Sequence, residues 1–240
     1  MSLFHPVNLV CPACSEAITM MAVGFVNADR RPDFRDAILD DSFQDVTCDA
    51  CSETFRLQPQ FNYLDAQRGQ WIAAMPAGRL RAHLEVEDEV SALFEDSYGA
   101  NAPQAAQSVA EGLDVRVTFG WPAVREKLLA RANDLDDAIL EMMKMHILRS
   151  VPSAPIEEGV ELRCVQVGED AMTFVWLETL TEKAIQEISG PRAVYDAIAA
   201  NPEGWAKTRQ KLENGFFVDM QKLYMGEGRK ASDPRNESAA

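Results

Sequence analysis

Cys11-Pro-Ala-Cys14 is followed, after 33 intervening residues, by a second motif of the same spacing, Cys48-Asp-Ala-Cys51. A CxxC turn places two sulfurs on one side of a tight knuckle, and two facing knuckles form the tetrahedral cage that Zn²⁺ accepts at ~2.3 Å per sulfur. The gap is longer than the ~15 to 20 residues of the commonest zinc spacing. It is still readily closed, because loop-closure entropy grows only logarithmically with length. The spacing therefore predicts a Zn²⁺ site formed by Cys11, Cys14, Cys48 and Cys51.

Other uses of these cysteines stay open at the level of the sequence. The first CxxC has the spacing of a thiol redox pair, although no βαβ pattern surrounds it and the second pair would be unexplained. Two knuckles could instead hold a single iron for electron transfer, as in rubredoxins. The four residues could also be reduced cysteines in a β-core. Four equivalent thiolates close the metal shell, so we expect a structural ion and no enzymatic activity at it.

Composition and charge narrow the class of protein. The chain has 240 residues, of which 47% are hydrophobic and 25% charged, as in ordinary folded proteins. Its formal net charge of −15 disfavours nucleic acid and anionic lipid as partners. No stretch approaches the ~20 apolar residues of a membrane span, and no secretory signal is visible at the N-terminus. We therefore expect a cytoplasmic protein with reduced cysteines.

The fold class expected from the pattern is α+β, beginning with a zinc-ribbon-like β unit over residues 7–78. Short apolar and β-branched runs separated by turn residues predict strands there, and the runs Thr54–Leu64 and Trp71–Met75 predict a hairpin. Between the two cysteine motifs, Asp29–Asp45 is polar and charged. We expect that segment to be a loop with at most a short turn of helix.

Residues 84–150 are predicted to be mainly helical. Val86, Val90, Leu93 and Phe94 recur at helical spacing before Gly99, and Pro103–Glu111 predicts a second helix. After a short strand at Val115–Phe119, Pro122 begins a helix that ends at Asn133. Asp134 is then expected to cap a further helix over Leu135–Arg149, which gives a helical hairpin.

Val151-Pro-Ser-Ala-Pro155 is the best candidate linker, and a small α+β unit over residues 156–225 is expected after it. Val160–Val167 and Met172–Leu177 predict a β-hairpin. Three helices are predicted next, over Thr181–Ser189, Pro191–Ala200 and Pro202–Glu213. Residues 226–240 contain no Ile, Leu, Val or aromatic side chain and predict a disordered tail.

The chain resembles the bacterial CpXC domain proteins. The resemblance rests on the two cysteine motifs, on the hairpin Phe55–Met75 with Trp71-Ile and Met75-Pro76, and on Val115–Lys144 with Phe119-Gly120 and Leu135-Asp-Asp137. It covers about residues 7–150 and implies a zinc site without an enzymatic activity. Two features depart from the family pattern: Asp49 stands where proline is usual, and Ser15 and Ser52 follow the cysteine pairs where zinc knuckles often have glycine.

The remaining candidate residues favour ordinary structural roles. His5 could lie in the outer shell of the metal, but a flexible terminal position is the simpler interpretation. His146 is expected to be a partly buried packing residue, and Cys164 a small core residue that is chemically inert. The adjacent acids Asp40-Asp41 and Asp136-Asp137 are expected on a solvated face or at a helix N-terminus.

The leading functional hypothesis is a zinc-binding protein-interaction module. We expect a protein partner or self-association, through exposed apolar residues of the ribbon or through the methionine-rich helix at Leu135–Arg149, since methionines suit adaptable surfaces. The alternative is a thiol redox protein or a rubredoxin-like iron protein for electron transfer.

Overall fold

The computed structural model describes residues 2–151, 154, 155, 157 and 159–225. Its mixture of helices and sheets confirms the α+β class. The first half consists of β1 (Leu3–Val10), β2 (Ala17–Asn27), α1 (Pro32–Leu39), β3 (Asp45–Thr47), β4 (Thr54–Arg56), β5 (Phe61–Asp65) and β6 (Gln70–Met75). The predicted disordered tail at 226–240 lies outside the described residues.

The middle of the chain is mainly helical, as predicted. It contains a 3₁₀ segment (Ala77–Ala82), α2 (His83–Tyr98), α3 (Gln104–Ala110), β7 (Asp114–Phe119), α4 (Trp121–Ala132) and α5 (Asp137–Ser150). The last part contains β8 (Val160–Val167), β9 (Ala171–Glu178), β10 (Ala184–Pro191), α6 (Arg192–Ala199), α7 (Pro202–Leu212) and α8 (Gln221–Met225).

The main sheet has the strand order β1-β2-β5-β6-β7. Pairing alternates along it, antiparallel for β1/β2 and β5/β6 and parallel for β2/β5 and β6/β7. Tyr63 and Ile72 face a core that α1 and α4 cover, while Trp71 and Val117 face one formed with α2. The central strands are therefore buried on both faces.

Strand β1 differs from the other strands of this sheet. It lies at the edge, and each of its residues is exposed or only partly buried. The outer strand of the β1–β2 hairpin is thus largely open to solvent, and the hairpin carries the first cysteine motif at its turn.

A second sheet, β10-β9-β8, packs on α5 and α6. The helix predicted over Thr181–Ser189 is wrong, because this segment forms β10, which pairs antiparallel with β9. The sequence of this segment is mostly polar, as in a surface helix. It forms a strand because it pairs with the otherwise free edge of β9. Gly190 permits the close packing, since a Cβ there would lie 2.9 Å from Cε of Met143.

Two local predictions about helices also need correction. The segment Asp29–Asp45 contains the eight-residue helix α1, not merely a short turn. Pro32 begins it, and Ile38 is fully buried one turn after Phe34, which packs on the same core. The N-cap of α5 is Asp136 rather than Asp134: Oδ1 of Asp136 accepts hydrogen bonds from the backbone N–H groups of residues 138 and 139.

Buried ion pairs join α4 and α5 to the C-terminal part of the chain. Nζ of Lys144 lies 2.8 Å from carboxylate oxygens of both Glu126 and Glu141. The guanidinium of Arg163 on β8 lies 3.0 Å from Glu126 and 2.6 Å from Asp219. All five side chains are at most 3% exposed. The division of the chain at 150/156 stays a prediction, and this ionic cluster shows that the two parts share an interior.

Candidate metal centre

The two cysteine motifs have the same local structure. The first joins β1 to β2 and the second joins β3 to β4. The backbone N–H of Cys11 donates to the carbonyl of Glu16, and that of Cys48 donates to the carbonyl of Glu53, each over 2.8 Å. Each hydrogen bond closes a hairpin turn around a pair of cysteines, so the chain builds one knuckle twice.

The residue after each cysteine pair has a left-handed conformation, with φ of 63° at both Ser15 and Ser52. The backbone N–H of each serine donates to the carbonyl of the first cysteine of its knuckle, over 2.9 and 2.8 Å. Because Cβ is strained in this conformation, glycine is the residue that fits it best. The structure thus gives the physical reason for the glycine that zinc knuckles often have here.

Replacing Ser15 or Ser52 by glycine is therefore expected to stabilise the zinc-loaded protein, by about 0.5–1 kcal/mol each. Urea unfolding at fixed zinc concentration measures the change. Alanine at the same position is the matched control, because it removes the hydroxyl but keeps Cβ, and should give no gain. A glycine variant no more stable than its alanine counterpart would show that relief of backbone strain at this position does not stabilise the protein.

The four sulfurs form one compact cluster. Sγ of Cys11 lies 3.6 Å from Sγ of Cys51, and Sγ of Cys14 lies 3.6 Å from Sγ of Cys48. All four lie within 4.8 Å of one another, and all four cysteines are free thiols. A tetrahedron with Zn–S bonds of ~2.3 Å has sulfur–sulfur edges of ~3.8 Å. The donor set is thus compatible in number and spacing with a tetrahedrally bound metal ion.

Burial divides the cluster into two halves. Cys11 and Cys48, the first cysteine of each knuckle, are 1% exposed, whereas Cys14 and Cys51 are exposed. Burial opposes ionisation of Cys11, but backbone N–H groups of Cys14 and Ala13 lower the pKa of its thiol to about 7. The backbone N–H of Glu53 lowers the pKa of Cys51, but contacts with the other thiols and burial raise it to about 12. Four thiolates this close need a cation among them.

Polar contacts outside the cysteines anchor the second knuckle hairpin to the rest of the protein. Arg56 on β4 pairs with Asp41 and, over 2.7 Å, with Glu182. Its guanidinium lies 4.8 Å from the ring centroid of Trp121, whose indole N–H donates to the carbonyl of Leu57 over 2.7 Å. These contacts were not predicted, because they join positions up to 126 residues apart.

Most of the other candidate residues lie away from the cluster. His5 is part of β1, beside Gly24, so neither a flexible terminus nor an outer-shell position describes it. Cys164 is buried as expected, and burial raises the pKa of its thiol to about 12. Its inertness stays a prediction.

Two expectations about α5 are wrong. His146 is exposed rather than partly buried. The methionines at 142, 143 and 145 are at most 6% exposed and belong to the core, so they offer no surface to a partner.

Asp137 begins the helix as expected but is not solvated, because it is paired with Arg116 and Lys127 over 2.7 and 3.0 Å.

Comparison with known proteins places the chain in a family. Neither the curated proteins nor the solved structures gave a match. The model of the family described as CpXC protein matches residues 9–144, which include both knuckles and more than half of the chain. The match confirms the resemblance seen in the cysteine motifs, and the chain belongs to the CpXC protein family.

Proposed function

We propose that the chain binds one Zn²⁺ through Cys11, Cys14, Cys48 and Cys51, and that this structural ion shapes a protein-interaction module. The observation that carries the proposal is the convergence of four free thiols within 4.8 Å in two matching knuckles. Four thiolates complete a tetrahedral shell and leave no position for substrate or water. The ion's role is therefore to fold the ribbon, not to catalyse a reaction.

The donor set favours a bound metal ion over a thiol redox pair, and we propose that the ion is zinc. Soft thiolates in tetrahedral array select Zn²⁺ or iron. A disulfide redox pair would use one CxxC motif and leave the other without a role. The free state of the described cysteines supports a reducing, cytoplasmic setting.

Metal analysis tests the proposal directly. Protein purified without a histidine tag should contain one zinc ion per chain by mass spectrometry and show no visible iron–thiolate absorption. Cys164→Ala provides the matched control, since it removes a buried cysteine outside the cluster and should leave the zinc content unchanged. Substoichiometric zinc with free thiols would support redox chemistry, and stoichiometric iron would support electron transfer.

Charge supports a protein partner and opposes nucleic acid. Residues 2–29 and 45–55, which include both cysteine knuckles, contain no Lys or Arg. Arg56, the last residue of β4, is paired with Asp41 and Glu182. A Cys₄ site with bound Zn²⁺ adds a charge of −2. The nearby Arg31 and Arg35 are paired with Asp33 and Asp65, over 2.6 and 3.1 Å. Phosphate binding needs an assembled basic face, and the ribbon offers none.

None of the helices in the part of the chain that the structure describes is long and apolar enough to cross a bilayer.

Duplex DNA and RNA are therefore expected not to bind at physiological salt. Fluorescence anisotropy with labelled 20-base-pair duplexes measures this, with the zinc-loaded full chain as titrant. Micromolar affinity that falls steeply with added salt would contradict the proposal, because that slope reports phosphate neutralisation by basic side chains.

A further inference from the structure

Strand β1 leaves one row of backbone groups without a partner strand. It lies at one edge of the main sheet and, among the residues that the structure describes, pairs only with β2. The hydrogen bond from Cys11 N–H to Glu16 fixes which residues face β2. Since backbone direction alternates along a strand, Leu9, Val7 and His5 also turn their backbone groups toward β2. Phe4, Asn8 and Val10 therefore present their N–H groups to the open edge.

Pro6 lies in the same outward-facing row and has no N–H. Proline is tolerated in a sheet at such a position, because it removes no ladder hydrogen bond. Its place in β1 agrees with the direction assigned to the edge. Pro6 also interrupts the row of outward N–H donors once. This gap weakens non-specific pairing of β1 with other strands.

The faces of this hairpin are apolar and open to solvent. Leu3, Phe4, Val10 and Met21 are 60%, 48%, 61% and 55% exposed. Phe4, Pro6 and Val10 point to the same face of the hairpin, and Met21 lies directly opposite Pro6 on that face. An edge strand with an apolar face and free donors is the surface to which proteins add an extended peptide.

The charge around β1 indicates which kind of partner segment would pair with this strand. The knuckle end of β1 lies near the exposed acids Glu16, Asp49 and Glu53, and neither knuckle turn contains Lys or Arg. Arg56, at the far end of the β3–β4 hairpin, is already paired with Asp41 and Glu182. The zinc-bound thiolates of the proposed function increase this negative potential. A segment that combines apolar residues for the β1 face with Lys or Arg near the knuckles would therefore be complementary.

A second copy of the chain fits this edge less well. Each chain has a formal net charge of −15, so two copies repel each other. Two β1 strands paired with each other would also lack a donor at Pro6 on both sides, whereas a foreign strand meets that gap only once. The complementary partner is a basic protein segment.

We propose that β1 is a docking edge for an extended, basic segment of a partner protein, which adds to the main sheet beside the metal knuckles. This proposal rests on the proposed function, whose zinc-loaded ribbon sets the position and charge of β1. The partner's backbone pairs with the outward groups of Phe4, Asn8 and Val10. Its basic side chains lie near Glu16, Asp49 and Glu53.

Two labelled decapeptides serve as probes, one alternating valine with lysine and the other alternating valine with glutamate. Anisotropy titrations with the zinc-loaded full chain should show binding of the lysine peptide that weakens as salt is raised. The glutamate peptide should bind at least ~10-fold more weakly. Hydrogen exchange by NMR should slow at the amides of Phe4, Asn8 and Val10 when the lysine peptide is bound.

Asn8→Pro and Asn8→Ala are the matched variants. Both lose the hydrogen bond that Thr19 donates to the Asn8 side chain, but only proline removes the outward N–H. Since the N–H of Asn8 is not bonded to β2, both variants should fold and keep their zinc. Asn8→Pro should bind the lysine peptide about 10-fold more weakly than Asn8→Ala.

Several results would overturn the docking edge. These are no binding of the lysine peptide at about 1 mM, equal binding of both peptides, or equal affinity of the two Asn8 variants. Dimerisation by sedimentation, with protection of the same amides, would assign the edge to a second copy. Zinc is measured on the same samples. A zinc-loaded protein that does not bind the lysine peptide refutes the docking edge alone. A protein purified without zinc refutes the proposed function.

Discussion

Replacing Cys48 by serine is expected to release the metal and to unfold both knuckles together with the β3–β4 hairpin. That hairpin has only three residues in each strand, and a two-stranded hairpin is at best marginally stable in water. Binding of structural zinc supplies on the order of 10 kcal/mol in small zinc domains, so its loss removes the main stabilisation of the ribbon. Zinc content, and NMR signals of residues 45–56, report the change.

The unfolding should be local. The core formed by α5, α6 and the second sheet contains no ribbon residue, so signals from Phe174 and Tyr195 should persist in Cys48→Ser. Cys14→Ser tests the exposed half of the cluster and should also lose zinc. A Cys48→Ser protein that retains stoichiometric zinc and an unchanged melting profile would contradict the assignment of this residue as a ligand.

The convergence of the cysteines could be predicted because the knuckle is a local structure. Two CxxC turns need only short-range hydrogen bonds, such as those of Cys11 and Cys48 with the carbonyls five residues later. The contacts that anchor the second knuckle hairpin to the rest of the protein could not be predicted. Arg56, Trp121 and Glu182 come from three separate regions, and each has an unremarkable sequence context. Only the tertiary fold brings them together.

The secondary structure could be predicted where burial of one face gives the apolar residues a clear spacing along the sequence. The strands β8 and β9 and the helices α2, α4 and α7 lie where the apolar pattern places them. Segment 184–191 shows the limit, because an edge strand with one buried residue carries little periodic signal. In α1, the four-residue spacing of Phe34 and Ile38 indicated a helix, but the surrounding aspartates obscured this pattern.

Buried charge was the largest feature that the sequence concealed. Glu126, Glu141 and Lys144 look like residues on the polar face of an amphipathic helix. In the structure they are at most 1% exposed and form ion pairs with one another. Their positions become interior only because β8 and residues 217–220 cover them, which no pattern within α4 or α5 reveals.

One carboxyl group of this cluster makes stability depend on pH. Oε2 of Glu141 accepts from the backbone N–H of Met220 and lies 2.8 Å from Nζ of Lys144, while Oε1 has no hydrogen-bond partner. Burial raises the pKa of Glu141 to about 7, and Asp219 and Glu126 add to the rise against the opposing effect of Lys144 and Lys127. The folded protein thus holds the proton more tightly than the unfolded chain.

The sign follows from the two pKa values. Below about pH 4.5 the group is protonated in both states, and its contribution to stability is fully present. As pH rises from 4.5 to about 7, the unfolded chain loses the proton first, so folding becomes less favourable by ~1.4 kcal/mol per pH unit. Asp219 acts in the opposite sense at lower pH, because its pKa is lowered to about 2. Burial opposes that lowering, and Arg163 and Lys144 cause it.

Glu141→Gln isolates this effect, because glutamine mimics the protonated acid at every pH. Lys144 keeps its pairing with Glu126, 2.8 Å away, in that variant. Urea unfolding of both proteins at a series of pH values should give similar stabilities near pH 5, and by pH 8 the glutamine variant should be more stable by up to ~3 kcal/mol. Comparing the two proteins at each pH cancels the pH dependence of zinc binding, which they share. A stability difference that stays constant from pH 5 to pH 8 would show that Glu141 keeps the same charge throughout, and the neutral carboxyl inferred from its burial would then be wrong.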